Sequence, residues 1–311
     1  MSGIGIITNP HSKLNKRNPD RPHLLGYIVG EAGQLEITRS LDHLEEVARR
    51  FLRSQIDILA INGGDGTISH TLSAFLRVWG DRPLPRIALL KGGTMNVLAS
   101  HLGIKGNRPE HILFQLVEMV SAGVPLPVRP IQSLNIEGHT GFLYADGTSA
   151  NILEEYYKNK TGTAGGIWLG IRLWLASLFG RPLARRLIRS RPIRFRPARQ
   201  PALEVEALGC FASSVSNLPM GMPMFSHKRQ GAGYFEGITV TTPPGKLLWR
   251  LPFILFARKK GYSFEKFSYS CKGLIIEGSE PFSYTLDGEL YRSKGNLVDI
   301  KPGPLIDFIR L

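Results

Sequence analysis

The run Ile61-Asn62-Gly63-Gly64-Asp65-Gly66-Thr67 joins an apolar stretch, Ile56-Asp57-Ile58-Leu59-Ala60, to residues 68–76. The apolar stretch reads as a buried strand and residues 68–76 as a helix. Glycines in a strand-to-helix turn let the backbone come close to a bulky anion, and the free N–H groups and positive helix end favour that anion. Phosphate is the usual occupant. Asp65 inside such a turn repels phosphate unless a cation lies between them. Mg²⁺ carried by a nucleoside triphosphate is the natural cation, because it prefers carboxylate and phosphate oxygens. The run is neither the P-loop pattern G-x-x-x-x-G-K-[ST] nor G-x-G-x-x-G. The plainer alternative is a tight glycine turn with no ligand.

A second run of the same kind follows. Arg86-Ile87-Ala88-Leu89-Leu90 reads as a strand, and it leads through Lys91-Gly92-Gly93-Thr94-Met95-Asn96 into a helical stretch at 97–102. In a parallel sheet two such turns line one edge, where ligands bind, so one can hold phosphates and the other ribose or base. Taken alone, this second run is equally well an ordinary turn and helix cap. A third candidate, Asp287-Gly288-Glu289, carries two carboxylates. By itself it reads as a hairpin turn, since Asp-Gly is a favoured turn pair.

The elements needed to position these runs are legible in the first part of the chain. Ser40 can cap a helix with Leu41, Leu44, Val47, Ala48, Phe51 and Leu52 at helical spacing. Pro109 opens another, with Ile112, Leu113, Leu116, Val117 and Val120 apolar. Strand and helix alternate from residue 3 to about residue 122, which predicts a parallel sheet covered on both faces. Residues 122–127 read as a linker. Helical periodicity then fades, and strand-like runs at 133–136, 237–241, 273–277 and 296–300 predict a mostly antiparallel β domain. The expected organisation is an α/β nucleotide-binding domain over residues 1–128 and a β-rich domain over 129–311. The last strand, 305–311, is a candidate to return to the first domain.

Charge is concentrated. The chain of 311 residues has a formal net charge of +14, and residues 156–203 hold eleven Lys or Arg with no Asp or Glu, leaving +3 elsewhere. Inside that stretch, residues 165–180 are apolar, with Trp168 and Trp174, but they fall short of the ~20 residues that cross a bilayer. Arg172 near the middle would cost about 2.5–3.5 kcal/mol at the membrane centre. An apolar, Trp-bearing segment followed by Arg181, Arg185, Arg186, Arg189, Arg191, Arg194 and Arg196 suits an anionic membrane surface. Residues 246–260 repeat the theme of an apolar body with a basic end. A core helix with a solvated or nucleic-acid-binding arginine face is the alternative. No zinc-finger or RNP-like motif accompanies the charge, so no nucleic acid is expected. Cys210 and Cys271 form no C-x-x-C pair, the N-terminus carries no leader pattern, and the eight histidines show no metal spacing. The expectation is a cytoplasmic protein, peripherally associated with membrane. A homodimer is left open.

The three runs together resemble the diacylglycerol kinase catalytic domain family, most closely its soluble bacterial-type lipid kinases, which share a core with sphingosine and ceramide kinases. Gly63-Gly64-Asp65-Gly66-Thr67 is similar to the family's G-G-D-G-T loop, and Gly93-Thr94-Met95-Asn96 to its G-T-x-N loop. Asn9-Pro10 is similar to its opening N-P turn, Thr38 to a nucleotide-contacting threonine, and Asp287-Gly288-Glu289 to its late D-G-E. The first loop is shared with NAD kinases and 6-phosphofructokinases, whereas the late D-G-E favours the lipid kinases. There are two departures. Val97 stands where the family often has an acid, and the family's metal loop is replaced by Gln230-Gly231-Ala232-Gly233-Tyr234-Phe235-Glu236, in which Glu236 alone keeps a carboxylate and counts against a structural Mg²⁺ site there.

The resemblance implies an NAD kinase/diacylglycerol kinase-like fold, a Rossmann-like parallel sheet followed by a β-sandwich-like domain. It implies transfer of the γ-phosphate of ATP, with Mg²⁺, to a lipid hydroxyl at a membrane surface, the lipid being diacylglycerol or a related one. Gly63, Gly64, Gly66 and Thr67 would cradle phosphates, and Asp65 would organise Mg²⁺. Gly93, Thr94 and Asn96 would hold the nucleotide from the second loop, with Asn9 and Thr38 at its rim. Glu289 would be the general base and Asp287 would orient the site. The alternatives are an NAD kinase-type enzyme with a soluble substrate, a non-catalytic nucleotide- or lipid-binding relative, and a basic nucleic-acid-binding protein.

Overall fold

A computed structural model describes residues 3–93, 96–104, 106, 108–158, 186–215, 225, 232–246 and 265–311. The chain divides into two compact units. The first comprises Met1–Gly141, Val215–Gly221 and Gly303–Leu311, and the second Phe142–Ser214 and Met222–Pro302. The apolar run 165–180, Arg181, Arg185 and nearly all of 246–260 lie outside the described residues, as does Thr94.

The first unit is built from strands too apolar to be exposed on either face. β1 (Ile4–Thr8) and β3 (Ile58–Asn62) are buried at every position, and β4 (Arg86–Leu89) at all but its first. With β2 (Gly33–Ile37) they form a parallel sheet in the order β2-β1-β3-β4. Fully apolar strands of this kind need helices on both faces. The chain supplies α1 (Lys13–Lys16), α2 (Arg21–Val29), α3 (Leu41–Arg53), α4 (Asp65–Trp79), α5 (Val97–His101) and α6 (Pro109–Ser121). β5 (Val128–Ile136) and β6 (His139–Gly141) complete the unit as a hairpin, which Ser69 Oγ of α4 reaches by donating to the Thr140 carbonyl at 2.6 Å.

Two local expectations hold in detail. Ser40 caps α3, its Oγ accepting from His43 N at 3.1 Å, and Leu44, Val47, Ala48 and Phe51 form the buried stripe. Leu41 departs from the stripe and is exposed. The stripe packs on α4 through Phe51, edge-on to Phe75 at 6.3 Å, and Phe75 stacks on Trp79 at 4.8 Å. Two boundaries differ from expectation. β3 runs on to Asn62, and α4 begins at Asp65, so Asp65, Gly66 and Thr67 are its first turn rather than part of the preceding turn. Glycine lowers helix propensity, but free N–H groups at a helix start tolerate it.

The second unit is antiparallel. Its elements are β7 (Leu143–Asp146), α7 (Thr148–Lys158), β8 (Arg191–Pro197), β9 (Leu203–Ala207), β10 (Gly209–Ser213), β11 (Phe235–Val240), β12 (Lys266–Cys271), β13 (Leu274–Gly278), β14 (Ser283–Leu286) and β15 (Glu289–Arg292). One six-stranded sheet runs β12-β11-β10-β7-β14-β15. A second layer, with β13 next to β8 and β8 next to β9, faces it and belongs to a ten-stranded sheet. The two meet face to face where Phe195 of β8 stacks on Tyr269 of β12 at 5.4 Å. Between them Asp146 is fully buried. It accepts from Tyr144 Oη at 2.8 Å and from Cys210 N at 2.8 Å, and pairs with Arg191 at 3.1 Å. A buried carboxylate is tolerable only with such partners.

The last strand, β16 (Leu297–Ile309), is continuous where the sequence suggested two runs. Its first residues pair with β13 in the second unit, and Phe308 pairs in parallel with Ile87 of β4 in the first. Pro302-Gly303-Pro304 looks like a break because proline removes ladder donors. The carbonyls of Gly303 and Pro304 instead accept from the side chains of Gln132 and Ser133 on β5. Among the described residues no helix is long and apolar enough to cross a membrane.

Phe75 tests the core of the first unit. Phe75→Ala leaves a void between α3 and α4 and should lower unfolding stability by about 3–5 kcal/mol, measured as a shift of the urea midpoint of the first unfolding transition.

Candidate functional site

Strand order places the first unit's ligand edge. β1 lies between β2 and β3, so the chain leaves β1 toward one side and β3 toward the other, and the crevice opens at their carboxyl ends. Four of those ends carry residues singled out in the sequence: Thr38 after β2, Asn9 after β1, Gly63 and Gly64 after β3, and Gly93 and Asn96 after β4.

Hydrogen bonds draw these ends together. Asn9 Nδ2 donates to Thr67 Oγ1 at 2.8 Å, and Asn9 N to the Asn62 carbonyl at 3.1 Å. Thr38 is buried, and its N–H donates to the Thr8 carbonyl at 3.0 Å. The two glycine loops approach backbone to backbone. A Cβ on Gly93 would lie 2.3 Å from the Gly64 Cα, and one on Gly92 would lie 2.5 Å from Asn62 Oδ1. No side chain fits at either position. Gly64 is the N-cap of α4, so the loop ends at that helix's free N–H groups.

Asp65 binds the two loops to each other. Its carboxylate faces the start of α5 and accepts from Leu98 N at 3.4 Å. Burial raises its pKa, a shift that the peptide N–H groups of Val97, Leu98, Asp65 and Asn96 only partly offset. Asn96 sits in the left-handed region (φ 44°), with Nδ2 donating to the Gly93 carbonyl at 2.9 Å and Oδ1 buried without a hydrogen-bond partner.

Sequence reasoning missed the supports of this edge. Asn15, 2% exposed, donates Nδ2 to the carbonyls of Asn9 (2.8 Å) and Asn62 (3.3 Å), and accepts from Asn62 Nδ2 at 3.2 Å. Arg21 donates to Asn15 Oδ1 at 3.3 Å and pairs with Glu110. Lys91 Nζ donates to the carbonyls of Ile104 (2.6 Å) and Gly106 (2.9 Å), tying the second loop to the turn after α5. Lys91 opens the second glycine run but carries no expected role there, Asn15 and Arg21 belong to no motif, and buried asparagines are indistinguishable in sequence from exposed ones.

Asp287 and Glu289 lie in the second unit, at the β14–β15 hairpin. Asp287 (φ 51°) and Gly288 (φ 87°) form the two-residue turn, with Leu286 opposite Glu289. This is the primed turn that Asp-Gly favours. It is also tied down. The Asp287 carboxylate accepts from Phe142 N at 3.0 Å and Leu143 N at 2.9 Å, and Tyr157 Oη donates to the Gly288 carbonyl at 2.9 Å. Glu289 raises the pKa of two nearby phenols, Tyr157 and Tyr291, adding in each to the larger effect of burial; Tyr291 is pushed up to about 12.

The arginine-rich stretch is less bare than its sequence suggested. Among the described residues, acids from outside it return to four of its members: Glu154 to Lys158, Glu155 to Arg186, Asp146 to Arg191, and Glu204 to Arg194. Glu236 is buried in β11, opposite Ser213 and Ser270. Among the described residues no cluster of three or more His, Cys, Asp or Glu is placed to hold a metal.

A glycine cradle at the carboxyl edge of a parallel sheet, rimmed by Asn9, Thr67 and Asn96, is the feature that comparison with known proteins bears on. Residues 4–125 match the diacylglycerol kinase catalytic domain. The resemblance read from the sequence is thereby shown over that stretch, and a kinase-type catalytic domain with it. Three Bacillus anthracis strain Sterne structures share the fold along the whole chain. One is a diacylglycerol kinase at 15% identity and TM-score 0.67. Two are provisionally named diacylglycerol kinases, at 17% and 18% identity and a TM-score of 0.71 each. Each covers 100% of this chain, which spans 97% of theirs. No curated protein matches the chain.

Two outcomes check this edge. Gly93→Ala should abolish nucleotide binding and lower stability, while Gly26→Ala in α2, where a Cβ meets nothing within 4 Å, should raise stability by about 0.5–1 kcal/mol; calorimetric titration and urea unfolding read both. Asp65 has a raised folded-state pKa, so the folded state binds its proton more tightly than the unfolded state. Its ionisation therefore lowers stability as pH rises from the ordinary carboxylate range through the raised value. Asp65→Asn should gain on the parent across that window, measured by urea midpoints between pH 4 and pH 8.

Proposed function

We propose that this protein is an ATP-dependent lipid kinase that transfers a γ-phosphate to a lipid hydroxyl, of diacylglycerol or a related lipid, at a membrane surface. The observation that carries the reading is the close approach of Gly93 to Gly64 at the carboxyl edge of the sheet, within the stretch that matches a kinase catalytic domain. The cradle suits a triphosphate. A Cβ would fill it, helix N–H groups end at it, and buried acceptors such as Asn96 Oδ1 lack a partner. Mg²⁺ bound with ATP would neutralise charge developing on the transferred phosphoryl group. Asp65 is the carboxylate nearest to both loops and would face that ion.

In this reading Gly63, Gly64, Gly66 and Thr67 hold phosphates through backbone N–H and hydroxyl groups, with Asn9 orienting Thr67. Gly93, Thr94 and Asn96 hold the nucleotide from the second loop, and Thr38 closes the rim. Glu289 accepts the proton of the lipid hydroxyl. It serves by position, taking the proton late as the new P–O bond forms. Asp287 keeps the turn that presents it. The partners are the lipid substrate and an anionic membrane surface, which the arginines left outside the four ion pairs would meet. The expected location is cytoplasmic and membrane-peripheral.

The test is transfer of labelled γ-phosphate from Mg·ATP to a mixed lipid extract, with Glu289→Gln beside the parent. Label in the organic phase, reduced at least 100-fold by Glu289→Gln, is the expected result. Label absent from lipid but present on added NAD would replace it with an NAD kinase-type activity. Nucleotide binding without transfer to either would leave a non-catalytic binding protein.

A further inference from the structure

The turn that carries Glu289 is unusual in how its two halves are held. Its first half is fixed by Asp287, which exchanges hydrogen bonds with the backbone of residues 142 and 143. Its second half is Gly288, which has no side chain to pack and is free at φ 87°. β15, which begins at Glu289, is four residues long and, among the described residues, is the edge strand of its sheet. The Gly288 carbonyl belongs to the peptide plane that joins Gly288 to Glu289, and that plane sets the direction of the Glu289 Cα–Cβ bond.

Among the described residues, the side chain that reaches that plane is Tyr157, whose hydroxyl donates to the Gly288 carbonyl at 2.9 Å. Tyr157 stands near the end of α7, which packs on β7, β14 and β15, so its ring is held by the strands that frame the turn. The phenol is 46% exposed, which leaves its hydroxyl removable without opening a core. Tyr291 flanks the same carboxylate and is itself fixed by stacking on Tyr284 at 5.5 Å. Glu289 also lifts the pKa of both phenols, as expected of a carboxylate beside them.

We propose that Tyr157 is a positioning residue for Glu289, its hydroxyl locking the Gly288–Glu289 peptide so that the carboxylate is presented in one orientation. The proposal rests on Glu289 being the proton acceptor of the lipid kinase reading. The hydroxyl takes no part in proton transfer.

The experiment uses the full chain with Mg·ATP and the mixed lipid extract of the transfer test. Tyr157→Phe is expected to lower kcat about tenfold, the loss of one well-made hydrogen bond, with the KM for Mg·ATP and the melting temperature unchanged. Tyr157→Leu should lose no more than Tyr157→Phe. In a Glu289→Asp background, where the carboxylate is already displaced by one methylene, adding Tyr157→Phe should cost little further. Parental kcat in Tyr157→Phe with loss only in Tyr157→Leu would reduce Tyr157 to ring packing and overturn the proposal. An equal tenfold loss in both backgrounds would overturn it as well. A parent that transfers no phosphate, or a Glu289→Gln protein as active as the parent, would overturn the underlying reading and this proposal with it.

Discussion

Everything at the carboxyl edge of the first unit depends on two parallel strands bringing two chains of backbone into contact. β3 and β4 are hydrogen-bonded neighbours, so their following loops start roughly 4.8 Å apart. Such loops normally diverge to make room for side chains. Here Gly64 and Gly93 remove that need, and the two loops meet backbone to backbone at these glycines. The result at Gly64 and Gly93 is bare backbone beside the free N–H groups at the start of α4, which suits the phosphate-binding role proposed for this edge. The remaining supports, Asn9 on Thr67 and Asn15 on the carbonyls of Asn9 and Asn62, hold the β1 end at the same edge.

Asp65 shows that this arrangement has a cost. Its carboxylate is buried beside peptide N–H groups that compensate for desolvation only in part. A neutral residue would suit the fold better at neutral pH. An incompletely compensated carboxylate where two glycine loops converge suits the role proposed for Asp65 beside a cation. The buried Asp146 is the contrasting case: its oxygens are satisfied by Tyr144, the Cys210 amide and Arg191, and it holds two sheets together.

The charge of the second unit changes meaning on folding. Residues 156–203 carry no acid, yet strand pairing sets Arg194 opposite Glu204 on one side and Glu277 on the other. Helix and strand geometry return Glu155 to Arg186 and Asp146 to Arg191. A linear count of charge therefore overstates the field that this stretch presents. The ion pairs among these that are exposed add little to stability, and their effect is to localise the remaining basicity.

The sequence by itself determined the alternation of strand and helix, the capping of α3 by Ser40, the positions of both glycine loops and the turn at Asp287-Gly288. Each is a local matter, set by periodicity, by a short side chain that can cap, or by a backbone conformation that glycine tolerates. Only the tertiary structure decided which strands are neighbours, that Gly93 meets Gly64, that Asn15 and Lys91 brace the loops, and that Tyr157 reaches Gly288. It also made one strand of Leu297–Ile309 across a Pro-Gly-Pro that reads locally as a break. The physical reason is common to all of these. Contacts between residues tens of positions apart depend on burial and strand order, which arise from the whole apolar core and leave no spacing in the chain to read.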